Sequence, residues 1–196
     1  MMYNKFNMLL RKSGILVAIV LIVTGCTGEV VRYINPEANF SYIKKVAVLP
    51  FNNLSDDRFA GEKVRSAITV DLLSRGIFDV VEQGEVNKIA SLVLRAAGAE
   101  EGMVTELDRE TLKLLGERLG VQAVVLGSVD EYVGRREEGL VAISVRMLDT
   151  SSGIILWQAK ASTSSASLWR KILGLEGLDT GTLTRRVVKT AFDTLL

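Results

Sequence analysis

Beyond Gly120 the apolar period of the chain changes from helical to twofold, and no other feature constrains the fold as tightly. AVVLGSVDEYV is a nearly continuous apolar run with Gly127 inside it, which predicts a buried strand with a close backbone approach. In LVAISVRML, Val141, Ile143, Val145 and Met147 alternate with Ala142, Ser144 and Arg146. In IILWQAKAS, Ile155, Trp157, Ala159 and Ala161 share one face. The connections GRREEG and DTSSG are short, so these three strands should pair antiparallel.

The upstream half alternates strand and helix. KKVAVLPF predicts a strand over Val46 to Leu49, stopped by Pro50, and the polar loop NNLSDDRFAG follows. In GEKVRSAITVDLLSRG, Val64, Ala67, Ile68 and Leu72 fall on one helical face that Gly76 closes. IFDVV is a second β-branched run, and EVNKIASLVLRAAG is helical again. Asp108 is a good N-cap for RETLKLLGERLG, in which Leu112, Leu115 and Leu119 line one side before Gly120. The chain closes on an amphipathic helix in LTRRVVKTAFDTLL, with Leu183, Val187, Ala191 and Leu195 as its stripe. Residues 42–196 are thus expected to form a single domain in the order β-α-β-α-α-β-β-β-α. The βαβ units imply parallel pairing and the later hairpins antiparallel pairing. The expected class is α/β (α+β), a mixed parallel/antiparallel sheet of about five strands covered by helices.

The amino terminus carries a different signal. Lys5, Arg11 and Lys12 precede an unbroken apolar run from Ile15 to Val23, followed by Thr24 and Gly25. A basic start, a short apolar stretch and a small-residue end describe a secretory signal peptide over residues 1–25. Nine apolar residues are too few to span a hydrocarbon core, which takes about 20 in a helix. The sole cysteine, Cys26, comes next, and Val23-Thr24-Gly25-Cys26 resembles the bacterial lipobox. The resemblance implies cleavage between Gly25 and Cys26, with the Cys26 thiol and the new amino terminus acylated (palmitate or a related chain). Two or three acyl chains anchor a protein stably where one holds it only marginally. The bland alternative is an ordinary signal peptide with a chance cysteine at its cut. Residues 26–41 are expected to be the lipidated amino terminus and a short tether. Its 14 residues from Thr27 to Phe40 reach roughly 50 Å at most.

Composition excludes several functions. Of 24 Lys+Arg and 23 Asp+Glu, the signal holds three bases and no acids, leaving 21 against 23, a net of −2. Nucleic-acid binding would want a clustered basic face, and no nucleic-acid partner is expected. There is no histidine, and acylation would consume the only thiol. The commonest metal ligand, general base and sulfur nucleophile are therefore missing. Asp56-Asp57, in the loop after the first predicted strand, could hold a hard cation, but adjacent acids ahead of a helix also favour its positive end without a ligand. Neither glycine-rich phosphate motif occurs. Ser74, Ser128 and Ser144 have no histidine to activate them, and nothing in the sequence places Lys160 beside a serine. No catalytic residue, metal site, cofactor or small-molecule substrate is expected. Trp157 shares the apolar face of its strand and belongs to the core. Leu168, Trp169 and Ile172, with Arg170 and Lys171 between them, could touch a partner or a lipid surface. Equally, they could cap the sheet as a satellite of the core.

KKVAVLPFNNLSDD, GIFDVVEQGEVNKI, LGVQAVVLGSV and VRMLDTSSGIILW follow one another in an order that resembles a superfamily of bacterial envelope proteins. It contains the curli-secretion lipoprotein CsgG, the synthase activator LpoB and the TolB amino-terminal domain. The resemblance implies a mixed-sheet domain, a periplasmic location and no enzymatic activity. CsgG-type pores need long spanning hairpins, about 9–11 residues per strand, which GRREEG and DTSSG are too short to hold. LpoB-type activators need a long linker, which the 14-residue tether does not supply. The expected function is a non-enzymatic, lipid-anchored interaction module of the outer membrane facing the periplasm, binding envelope proteins or copies of itself. The alternatives are a CsgG-like secretion-channel subunit and, from another class, a carboxylate-metal enzyme at Asp56 and Asp57.

Overall fold

Three long strands organise the molecule: β5 (Ala123–Gly134), β6 (Gly139–Asp149) and β7 (Ile155–Ser164), each antiparallel to the next. This computed structural model describes residues 29–97, 107–134, 139–165 and 178–195. β5 runs where the sequence is apolar on both faces, and Gly127 accounts for how closely it approaches β6. A Cβ at Gly127 would sit 2.0 Å from the Ser144 carbonyl oxygen and 2.9 Å from the Phe51 ring. Only a residue without a side chain fits there.

The other strands are β1 (Glu29–Ile34), β2 (Lys45–Val48), β3 (Asn52–Asn53) and β4 (Asp79–Val80). The order across the sheet is β1-β7-β6-β5-β2-β4, with β3 pairing beside β5. β2 pairs parallel with both β4 and β5, as the strand–helix–strand pattern requires. Among the described residues the sheet therefore has seven strands, two more than the expected count of about five. β3 escapes a sequence reading because it is two residues long and resumes pairing just after the break at Pro50. β1 is the larger correction. Residues 29–34, expected to be part of a tether, form the edge strand antiparallel to β7, with Val30 opposite Ala161 and Ile34 opposite Trp157.

Among the described residues four α-helices cover the sheet: α1 (Ala60–Arg75), α2 (Gln83–Ala96), α3 (Arg109–Leu119) and α4 (Thr180–Phe192). Both predicted glycine stops adopt the left-handed conformation, Gly76 at φ 63° and Gly120 at φ 65°. Asp108 caps α3 as expected, accepting from the Thr111 amide at 2.8 Å. One face of the sheet packs on α1 and α4 and encloses the larger core, from Val46 and Ile143 to Trp157, Val187 and Phe192. The opposite face packs on α2 and α3 around Leu49, Val124, Leu126, Leu112 and Leu115. A fully buried aliphatic side chain contributes about 1.5–3 kcal/mol, so these two layers hold the fold.

Candidate functional site

The carboxyl ends of parallel strands are where open α/β sheets bind ligands. In this sheet that position is filled by the protein itself. Arg65 of α1 is completely buried, its Nε and Nη2 donating to the Val48 carbonyl at 2.9 and 2.8 Å, its Nη1 to Asn87 Oδ1 at 2.6 Å. Burial pushes the guanidinium's pKa down, and the charges of Glu62 and Glu82 oppose that shift. The side chain plugs the crevice and bolts α1 to β2 and α2.

Asp57 in the following loop is engaged locally. Its Oδ1 accepts from the Phe59 amide at 2.9 Å and its Oδ2 from Lys63 Nζ at 2.7 Å. The Lys63 hydrogen bond, with the Phe59 amide second, holds its carboxyl below the usual range. This is a carboxylate organising the approach to α1, the loop role that adjacent acids can play without a ligand. Among the described residues, no group of three or more His, Cys, Asp or Glu side chains is gathered as a metal site. A groove of about 410 Å³ lies between α1 and α4, lined by Lys63, Val70, Tyr132, Thr180 and Arg185. Its cations have partners within the chain: Lys63 pairs with Asp57 and lies over the Tyr132 ring, and Arg185 donates to Thr182 Oγ1 at 3.0 Å.

The remaining surface of note is half of the sheet. The α2–α3 layer covers β2, the first half of β5 and the ends of β6 and β7 at Leu148 and Ile155, whereas over the rest of β6, β7 and β1 the same face has no described helix on it. Its rows carry Ser144, Arg146, Gln158 and Lys160, and β1 adds Val31, 65% exposed, and Tyr33, 50% exposed. Asp130 ties three strands together there. It accepts from Ser128 Oγ at 2.6 Å and Ser144 Oγ at 2.7 Å, and pairs with Lys160 Nζ at 3.3 Å. The sequence places Lys160 beside no serine; the register sets it directly opposite Ser144. Both hydroxyls donate to a carboxylate, an arrangement that orders the surface.

Trp157 lies where its alternation predicts, fully buried, its ring 4.9 Å from Phe192 and its indole nitrogen donating to Thr194 Oγ1 at 3.1 Å. Gly25, Cys26, Leu168, Trp169 and Ile172 lie outside the described residues. The sequence reading misses Val31 and Tyr33. EVVRYI is β-branched and aromatic enough for a strand, but Pro36 and the absence of a predicted partner hide it.

No family model matches this sequence, and no curated protein matches it. Solved structures do. A PelC dodecamer from Paraburkholderia phytofirmans superposes with a TM-score of 0.58 at 17% identity, covering 86% of this chain and 98% of that one. In fold, the chain is similar to PelC. Lipoprotein GNA1162 from Neisseria meningitidis follows at TM-score 0.50 and 23% identity, over 63% of this chain and 84% of that one. The hypothetical protein CT253 from Chlamydia trachomatis also reaches 0.50, at 15% identity over 78% and 95%. The fold is thus one that a bacterial lipoprotein, GNA1162, shares.

Proposed function

We infer that this protein is a non-enzymatic, lipid-anchored module of a bacterial envelope complex. It is held through Cys26 at the outer membrane, faces the periplasm, and works by binding envelope proteins or copies of itself. One observation carries the reading: the fold is PelC-like over most of the chain, and its edge strand exposes Val31 and Tyr33 on a sheet face that no described helix covers there. The shared fold with lipoprotein GNA1162 supports lipid attachment, and PelC as a dodecamer supports self-association. The plugged crevice at Arg65 and the committed Asp57 support a role without catalysis.

The test is the absolute mass of Gly28–Leu196 by light scattering, with and without detergent, for the wild type and Tyr33→Asp. The expected result is an assembly of several subunits that Tyr33→Asp dissociates without unfolding the monomer. A wild-type monomer at every concentration would refute self-association and leave only foreign partners. Ion conductance of the assembled protein in a planar bilayer would instead point to the secretion-channel reading.

A further inference from the structure

The two edges of the sheet are unlike. β4, at one end of the strand order, is two residues long, and so short an edge offers little to pair with. β1, at the other end, runs six residues in unbroken register with β7. It carries no bulge, lysine or proline, devices that blunt an edge. Among the described residues no strand lies beyond it.

One hydrogen bond fixes which way its backbone points. The Asn35 amide donates to the Leu156 carbonyl at 3.0 Å, in the same register that sets Ile34 opposite Trp157. Antiparallel residues alternate between hydrogen-bonded and non-hydrogen-bonded pairs. Tyr33 and Val31 therefore bond inward to Gln158 and Lys160, while Val30, Arg32 and Ile34 turn their N–H and C=O groups outward. The side chains along this edge are largely apolar: Val31, Tyr33 and Ile34 are exposed, and Val30 is half-buried. Arg32 sits at the centre, so VVRYI reads apolar, apolar, basic, apolar, apolar in either direction. An antiparallel strand of the same sequence meets it apolar against apolar on both sides of Arg32.

We propose that β1 pairs antiparallel with β1 of a second copy, about a twofold axis that passes through Arg32 normal to the sheet. This deepens the self-association inferred above and rests on it. Val30 then bonds to Ile34 of the second copy and Arg32 to its own counterpart, which satisfies every outward backbone group of residues 30, 32 and 34. Val31 meets Tyr33 of the second copy twice, in the closely spaced non-hydrogen-bonded pairs, a β-branched side chain against an aromatic one. Sliding the pair to centre on Val31 would separate the arginines but carry Ile34 past the end of the other strand. A second copy fits better than a foreign strand because the pattern about Arg32 is its own complement. One row opposes: the two Arg32 guanidiniums face each other, and like charges directly opposite weaken a sheet.

The test oxidises the full chain in detergent with copper–phenanthroline, and the wild type, with Cys26 as its sole cysteine, supplies the background. Arg32→Cys should form disulfide dimers above that background, since facing residues of a hydrogen-bonded pair lie about 5.5 Å apart, within reach of a disulfide. Val31→Cys and Tyr33→Cys should each stay at background, being offset from their own counterparts by a diagonal of about 7–8 Å, and should cross-link when mixed. A second measurement needs no thiol: wild type mixed with Arg32→Glu should associate about three- to tenfold more tightly than either alone. Cross-linking at Val31→Cys instead of Arg32→Cys, or a mixture no tighter than its components, would overturn the pairing. Multimers by light scattering without the Arg32→Cys cross-link would overturn it and leave self-association standing. A monomer at every concentration would overturn both.

Discussion

Asp149, the last residue of β6, gathers the turn that follows it. Its Oδ1 accepts from the Ser151 amide at 3.0 Å, the Ser152 amide at 2.6 Å and both serine hydroxyls, while Oδ2 accepts from the Tyr42 hydroxyl. The residue is 3% exposed. Burial works against its ionisation, but the hydrogen bonds from Ser151, Tyr42 and Ser152 outweigh it and bring its pKa from 3.8 to about 2. At about 1.36 kcal/mol per unit, that difference is worth about 2 kcal/mol at neutral pH. Because the folded value is the lower one, the contribution is complete above pH 4 and is lost as the pH falls from 4 to 2. Asp149→Asn keeps the shape and removes the charge. Urea unfolding should show it about 2 kcal/mol less stable than the wild type at pH 7, with the gap closing by pH 2. Tyr42 gives the alkaline counterpart. Burial first, then the hydrogen bond to Asp149, pushes its pKa up to about 12. Its contribution is present below pH 10 and lost between pH 10 and 12, and Tyr42→Phe should remove that limb. The two residues share one bond, so the double variant should cost less than the sum of the singles. A gap between wild type and Asp149→Asn as wide at pH 2 as at pH 7 would refute the reasoning.

Gly127→Ala forces a methyl to 2.0 Å from a backbone carbonyl that cannot rotate away, and should destabilise by about 3 kcal/mol or more in thermal unfolding. Trp157→Phe leaves a void against Phe192 and removes the bond to Thr194, an expected loss of about 2 kcal/mol in urea unfolding. A chain beginning at Phe40 lacks β1, so Val30 no longer packs on the core and the edge of β7 is bare. It should lose at least about 1 kcal/mol and aggregate on standing, while an unchanged melting curve would show that β1 adds nothing.

Local chemistry wrote much of this fold into the sequence. Helix limits at Gly76, Gly120 and Asp108 depend on single residues and their immediate neighbours, and the structure places them as expected. The twofold alternation settled which side chains of β6 face the larger core, and likewise Trp157, Ala159 and Ala161 of β7, because a strand turns each successive residue to the opposite face. Ile155, expected on that same face, packs instead in the opposite layer, because the register shifts between Met147 and Leu148. Parallel and antiparallel pairing followed from connection length alone.

Other features depend on contacts far apart in the chain. β1 is a strand only because β7, about 130 residues later, offers it an open edge, and nothing within EVVRYI announces that partner. Arg65 reads as one more polar position on an amphipathic helix, yet folding buries it completely against Val48 and Asn87 and closes the crevice where a ligand would sit. Lys160 meets Ser144 and Asp130 through strand register, which spacing within one strand cannot specify. The sequence by itself determined the helices and the long strands. Tertiary structure alone decided the edge strand at Glu29–Ile34, the plug at Arg65 and the partners of Lys160, because edges, plugs and registers exist only once distant segments have met.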